Sequence, residues 1–274
     1  MRRNKCTRGP LTASAPGDNT RVSETTDRLP LLFRDDHLVA VDKPAGVLVH
    51  RTGLDAGETR FVLQMLRDQL GQPVWPVHRL DKGTSGVLLF ALDAHSASIL
   101  GQGFQRDVGL DKTYLAVVRG WPPAEGLIDH PLRRMPDDQR PGREDIQAAQ
   151  TRWRTLARHE LPLPYGRFPA TRTALVELHP LTGRRHQLRR HMKHIAHPII
   201  GDATHGKGPL NRALADWLGT RRLWLHASAL TLRHPVSGKR LHLQAPPGPE
   251  WACWPVVADA NARAAASGAG TSVK

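Results

Sequence analysis

The stretch HRLDKGTSGVLLFAL, His78–Leu92, decides the fold. Its second half, Val87–Leu92, is six apolar residues long. That is too short and too uniform for a surface helix, so the run predicts a buried β-strand. Its first half is a loop that must deliver the chain into that strand. Gly83 and Gly86 allow tight backbone geometry there, and Thr84 and Ser85 can bond local backbone groups. Asp81 stands between Arg79 and Lys82 at this entry. One reading is structural: the carboxylate accepts nearby N–H groups in an Asx-type turn. The other is chemical. An aspartate held beside arginine stays ionised, and an ionised carboxylate in a basic cleft serves as a nucleophile or a base toward a sugar-phosphate substrate.

Charge sets the substrate class. The 274 residues carry 39 Lys and Arg against 25 acids, a net charge of +14 before any of the 15 histidines is counted. Met1–Arg28 holds +3 and Ala258–Lys274 holds +1, which leaves +10 on the middle of the chain. The positive field therefore belongs to a folded surface rather than to a basic arm. Such a surface favours polyanions, nucleic acid above all. Cys6 and Cys253 are the only cysteines. They form no disulfide framework and no CxxC site, which fits a reducing, cytoplasmic setting. The N-terminus lacks the apolar core of a secretory signal, and no apolar run is long enough to span a bilayer.

The flanking patterns give an α+β domain around a mostly antiparallel mixed sheet. Residues 1–28 and 258–274 are rich in small and polar residues without periodicity and read as a disordered basic tail and a flexible tail. Residues 29–257 read as one domain without a linker or repeat. Strands are predicted on both sides of a turn at Arg34–His37, then over Lys112–Gly120, Gln147–Arg158, Thr171–His179, Leu223–Leu232 and Arg240–Gln244. HPVSGK, His234–Lys239, is a hairpin turn. Helices are predicted over Thr59–Leu70, stopped by Gly71, and from an Asp93 N-cap to about Arg106. Leu127–Asp145 reads as a long exposed loop or flap. No glycine fingerprint follows the first strand and no Walker sequence occurs.

LTGRRHQLRRHMKHIAHP, Leu181–Pro198, predicts a helix that starts at Thr182 or Gly183 and ends at Pro198. Leu188, Met192 and Ile195 form its apolar face. Thr182–His197 contains five Lys and Arg, four His and no acid. Like charge at that density opposes a helix unless a polyanion or a buried carboxylate answers it. The pattern points to phosphate contact, with one arginine turned inward to a carboxylate. His186, His191, His194 and His197 lack the carboxylate or thiolate that zinc and iron sites recruit, so no metal is expected. Tyr114, one of two tyrosines, is either a core aromatic with a bonded hydroxyl or a ring that stacks on a nucleobase.

VDKPAGVLVH, HRLDKGTSGVLLFAL, KTYLAVVRG, LTGRRHQLRRHMKHIAHPIIGD and RLWLHASALTLRHPVSG follow one another in the order seen in the RluA-type pseudouridine synthases, which this chain resembles from about Leu31 to Gln244. The resemblance implies a sheet split by a central basic RNA-binding cleft and the isomerisation of uridine in RNA to pseudouridine without cofactor or metal. It implies that Asp81 is the essential carboxylate, attacking C1′ or removing the C2′ proton. By the same resemblance Arg189 orients Asp81, Leu188 forms an apolar wall under the uracil, and Tyr114 stacks on the base and assists proton transfer from C5. Arg79 enters the RNA stack where the uridine flips out, with His78, Arg184 and Arg185 completing the substrate contacts. Lys43 and Pro44 match a supporting motif near the cleft. VHRTGLD, LPYGRFPATR and HGKGPLNR resemble a branch of the family that acts on uridine 65 in the T-stem of tRNA. Ribosomal RNA, another tRNA site, or a non-catalytic RNA-binding role remain the alternatives. Met1–Arg28 is too short for the additional RNA-binding module of many relatives, and a monomer is the default.

Overall fold

A computed structural model describes residues 28–51, 57–135, 145–258 and 260. The chain opens with an antiparallel pair, β1 (Leu31–Arg34) and β2 (Leu38–Lys43), joined by the tight turn that Asp35 and Asp36 favour. The Asp35 carboxylate accepts the N–H groups of His37 and Leu38, which fixes that turn. Helix α1 (Val62–Leu70) buries Val62 and Leu66 and ends at Gly71 in the left-handed region. The helix does not reach back to Thr59 as expected: Phe61 is extended and bridges to Leu48. The short β3 (Trp75–Pro76) leads into the loop of interest and then into β4 (Ser85–Ala91), every residue of which is buried. Helix α2 (Ala94–Arg106) starts where Asp93 accepts the Ser96 N–H at 2.7 Å, the cap that its sequence predicts.

Strands β5 (Asp111–Arg119), β6 (Glu125–Asp129), β9 (Gln150–Leu161) and β10 (Thr171–Pro180) build the other half of the sheet. A separate two-stranded ladder joins β7 (Leu132–Arg133) to β8 (Ile146–Gln147). Helices α3 (Gln187–His194) and α4 (Gly208–Leu218) precede β11 (Leu225–Arg233) and β12 (Arg240–Gln244), the hairpin that HPVSGK closes. The main sheet runs β1-β2-β4-β11-β5-β10-β9-β6, with β3 paired to β4 and β12 to β11. All pairs are antiparallel except β4 with β11.

That parallel junction has two residue pairs, Ser85 with His226 and Ala227 with Gly86. Gly86 has φ +108°, and a Cβ there would lie 2.2 Å from the Ala227 carbonyl oxygen. Only glycine fits. The sheet is thus continuous but has a narrow waist, and the cleft crosses it. Beyond the waist, Trp224, Trp251 and Trp254 stack edge to face at 5.4 Å and anchor the C-terminal segment to the core.

Two expectations need correction. The proposed flap at Leu127–Asp145 contains β6 and β7 at its start, because Leu127 to Asp129 pair with Arg152 to Gln150; its residues 136–144 lie outside the described ones. Helix α3 begins at Gln187 rather than at Thr182 or Gly183. The Gln187 Oε1 accepts the Thr182 hydroxyl and the Arg184 N–H, which holds 182–186 as a tight loop in front of the helix. Helix α4 has no counterpart in the sequence reading. The tail assignments at 1–28 and 258–274 fall almost wholly outside the described residues. Among the described residues, no helix is long and apolar enough to cross a membrane.

Candidate active site

The loop before β4 turns back on itself where the Thr84 N–H bonds the Asp81 carbonyl at 3.0 Å. A Cβ on Gly83 would press to 2.9 Å from Cβ of Leu223, so the loop sits tightly on the segment entering β11. Beneath it, Lys43 is fully buried. Its Nζ donates to the carbonyls of Pro44 at 2.8 Å and Lys82 at 3.2 Å. Burial brings the Lys43 ammonium down to about 7, against the opposing pull of the Asp81 charge. The loop is therefore pinned from below, one residue after Asp81.

The Asp81 carboxylate faces a cleft of about 550 Å³ lined by Arg79, Tyr114, Arg184, Arg185, Leu188 and Arg189 among others. Its Oδ2 accepts Nη1 of Arg189 at 2.9 Å. Arg189 lies on the buried side of α3. Its Nε and Nη2 donate to the two oxygens of Asp202, both at 2.8 Å. The Asp202 side chain is 1% exposed. Burial pushes its carboxyl up, but the bonds and charge of Arg189, with the N–H groups of His205 and Thr204, outweigh that and hold it below the ordinary value. One guanidinium therefore bridges two carboxylates, one wholly buried and one open to the cleft. A bidentate fork of this kind fixes direction as well as charge.

Opposite, Tyr114 on β5 pairs with Ala227 beside the waist and lines the same cleft. Burial, then the Asp81 charge, raises its phenol well above the ordinary range. At neutral pH it is an O–H group with a ring, not a phenolate. Leu188 is 7% exposed and supplies an apolar wall. The rim is basic. Arg79 is exposed there, and Arg184 donates from Nε to the Ala148 carbonyl at 3.1 Å and from Nη1 to Asp107 at 3.3 Å. His78 also lines the cleft, but its Nε2 accepts the Leu89 N–H at 3.0 Å and its ring stacks on Phe104 at 4.5 Å. Burial, with Lys112 nearby, brings its imidazole down to about 3, so it stays neutral and shapes the wall.

The eight residues singled out in the sequence thus meet at one cleft, although Asp81 and Arg189 lie 108 positions apart. The inward arginine expected of the basic helix is Arg189. Sequence reasoning missed its second partner, Asp202. The signal was present: Asp202 is the first acid after the acid-free run 182–197 and follows the apolar Ile199 and Ile200 with only Gly201 between. The four histidines of that run disperse. His191 bonds Thr151 and the His130 carbonyl, and His194 stacks on His130 at 3.7 Å. His197 bonds the Arg119 carbonyl, and His186 meets His205. Among the described residues no three His, Cys, Asp or Glu side chains converge on a metal position.

A half-buried, arginine-held carboxylate facing an aromatic ring and an apolar wall under a basic rim suits a flipped-out base and its ribose. The comparisons agree. Residues 37–194 match the family model described as RNA pseudouridylate synthase. The chain is 48% identical over 221 residues to tRNA pseudouridine synthase C of Vibrio cholerae, covering 79% of this chain and 90% of that one. It is 47% identical over 227 residues to the protein of that name in Pasteurella multocida, covering 81% and 93%. Among solved structures it resembles human RNA pseudouridylate synthase domain containing 1, with a TM-score of 0.65 and 26% identity over 88% of this chain and 91% of that one. Human RNA pseudouridylate synthase domain containing 4 gives 0.61 and 27% over 82% and 90%. On these grounds, the chain belongs to the RNA pseudouridylate synthase family.

Proposed function

We propose that this enzyme isomerises one uridine of tRNA, uridine 65 in the T-stem, to pseudouridine. The observation that carries the reading is Asp81, held at 2.9 Å by Arg189 in a cleft that Tyr114 and Leu188 also line. The names of the relatives at 45–49% identity support the choice of tRNA.

The uridine leaves the stack at a cost of a few kcal/mol. Contacts from Arg184, Arg185 and the basic rim to phosphates offset that cost, and Arg79 fills the gap left in the RNA. Asp81 then acts at the ribose, either attacking C1′ or removing the C2′ proton. The N1–C1′ bond breaks and the freed uracil turns between Tyr114 and Leu188. C5 bonds to C1′ as Asp81 either leaves C1′ or returns the C2′ proton, C5 loses its proton, and N1 gains one. Substrate and product are isomers, so the balance calls for no cofactor and no metal. Tyr114, protonated in its resting state, stacks on the base and passes the C5 proton only by exchanging its own. His78 keeps the cleft wall in place. The same reading has the enzyme working as a monomer in the cytoplasm.

Pseudouridine mapping on unmodified tRNA transcripts and ribosomal RNA fragments, with wild type and Asp81→Asn side by side, tests this. The expected result is one T-stem signal with wild type only, with tRNA binding unchanged in the variant. A ribosomal RNA signal instead would keep the chemistry and overturn the substrate. Turnover by Asp81→Asn would overturn the role of Asp81, and no signal from a binding-competent wild type would leave a non-catalytic RNA-binding protein.

A further inference from the structure

Arg189 accounts for one oxygen of Asp81. The other, Oδ1, faces Nε2 of His186 at 3.9 Å. His186 stands immediately before α3 with φ +54°, a left-handed conformation that a side-chain-bearing residue adopts only at a cost. Its Nδ1 lies 3.0 Å from Nε2 of His205. His205 in turn is placed by Asp202, whose Oδ1 accepts the His205 N–H at 2.8 Å. The contacts close a ring: Asp81, Arg189, Asp202, His205, His186 and back to Asp81.

The ring fixes the tautomers. An unprotonated Nε2 on His186 would turn a lone pair toward the carboxylate. The proton therefore sits on Nε2, Nδ1 becomes an acceptor, and His205 donates its Nε2–H to it. Full protonation of His186 is opposed first by burial, which lowers its basicity, and by Arg189 and Arg185; Asp81 and Asp202 act the other way. His205 faces Asp202, Arg189, His186 and Lys193, and burial brings it down to about 4. Both rings are thus neutral at pH 7.

We propose that His186 is a positioning residue for the reaction, aiming an Nε2–H at Oδ1 of Asp81 while Arg189 holds Oδ2, so that the carboxylate presents a fixed lone pair to the ribose. The present separation exceeds a direct hydrogen bond, and contacts of this kind tighten when substrate fills the site. The inference rests on the pseudouridine synthase reading of Asp81.

The test compares single-turnover rates on a tRNA transcript for wild type, His186→Asn and His186→Gln from pH 5 to 8, with tRNA binding and thermal melting alongside. Asparagine tolerates the left-handed backbone and keeps an amide near Nδ1, but it does not reach Asp81. Its rate falls about 10- to 100-fold, the scale of partners that orient a reacting group, while binding stays within about twofold. Glutamine reaches the Nε2 position and recovers the rate to within about fivefold of wild type. The wild-type rate declines in acid as His186 gains a second proton and locks Asp81 in an ion pair; in both variants that limb moves to lower pH. Wild-type rates from His186→Asn would overturn the inference. So would equal losses in both variants with an unchanged pH profile, which would mark a packing role. Absence of pseudouridine from wild type itself would instead remove the reading beneath it.

Discussion

The two ends of β10 carry arginine–carboxylate contacts of nearly the same length and very different surroundings. At its start, Nε of Arg172 meets Glu160 across the β9–β10 ladder at 2.9 Å, with side chains 60% and 46% exposed. Past its end, Arg189 meets Asp81 at 2.9 Å and Asp202 at 2.8 Å, with exposures of 9%, 21% and 1%. Coulomb's law alone would rank these pairs together. Water separates them. An exposed pair exchanges good hydration for a screened attraction and nets little. A buried pair has given up its hydration already, so removing one partner strands the other. The same contact is therefore decoration at one end of the strand and machinery at the other.

The sharpest way to break this comparison is to remove Arg189. Arg189→Met leaves Asp202 buried without its guanidinium and Asp81 without its orienting donor. The expected loss is about 3–5 kcal/mol of stability by urea melting and about 10²–10³-fold in single-turnover rate. Arg189→Lys keeps the charge but cannot bridge two carboxylates with a planar fork; it recovers part of the stability and little of the rate. A lysine variant with near-wild-type turnover would show that charge alone suffices.

Asp202→Asn is the next step down. The amide matches the shape, Asp81 keeps its contact with Arg189, and one buried charge loses its counterpart. A loss of about 1–3 kcal/mol at pH 7 follows, with a smaller fall in rate than for Arg189→Met. The pH dependence carries the sign. The Asp202 carboxyl is held below its ordinary value of 3.8 in the folded protein. Its contribution is complete above that value, and is lost as pH falls through the lower folded one. The stability gap between wild type and Asp202→Asn is therefore constant above about pH 5 and narrows below about pH 4. A gap that stays constant into acid would mean that packing, not charge, sets the weight of Asp202.

Local chemistry made part of this legible in the sequence. Val87–Ala91 of the apolar run is a strand because nothing in it tolerates water, and Asp93 caps α2 because its side chain reaches the Ser96 N–H. One arginine of the run 182–197 could be expected to turn inward because that acid-free stretch needed an anion, and the family resemblance singled out Arg189. The identity of that anion was not local. Asp202 comes from the loop before α4, and it reaches Arg189 only because Ile199 and Ile200 pack against β5 and the core. Helix α4 went unassigned; it opens on a glycine and a proline and has no side-chain cap to announce its start. The start of α3 was misplaced because its preceding loop is stabilised by the Gln187 side chain, which spacing rules do not register. His186 was read only as a doubtful metal ligand, since the ring that gives it a partner spans three separate segments.

The smallest effect belongs to the exposed end. Glu160→Gln removes the carboxylate from Arg172 and should change stability by less than about 0.5 kcal/mol, indistinguishable from wild type in 0.5 M salt, where screening has already removed most of the attraction. Arg172→Ala should cost somewhat more, up to about 1 kcal/mol, because the guanidinium also lies over the Trp121 ring, 4.3 Å from its centroid. Salt does not erase that contact, so the two variants separate as salt is added: the glutamine variant converges on wild type and the alanine variant does not. Neither alters the rate of turnover if RNA docks away from this edge. A Glu160→Gln loss as large as that of Asp202→Asn would break the comparison, since burial would then not be what gives an arginine–carboxylate pair its weight in this fold.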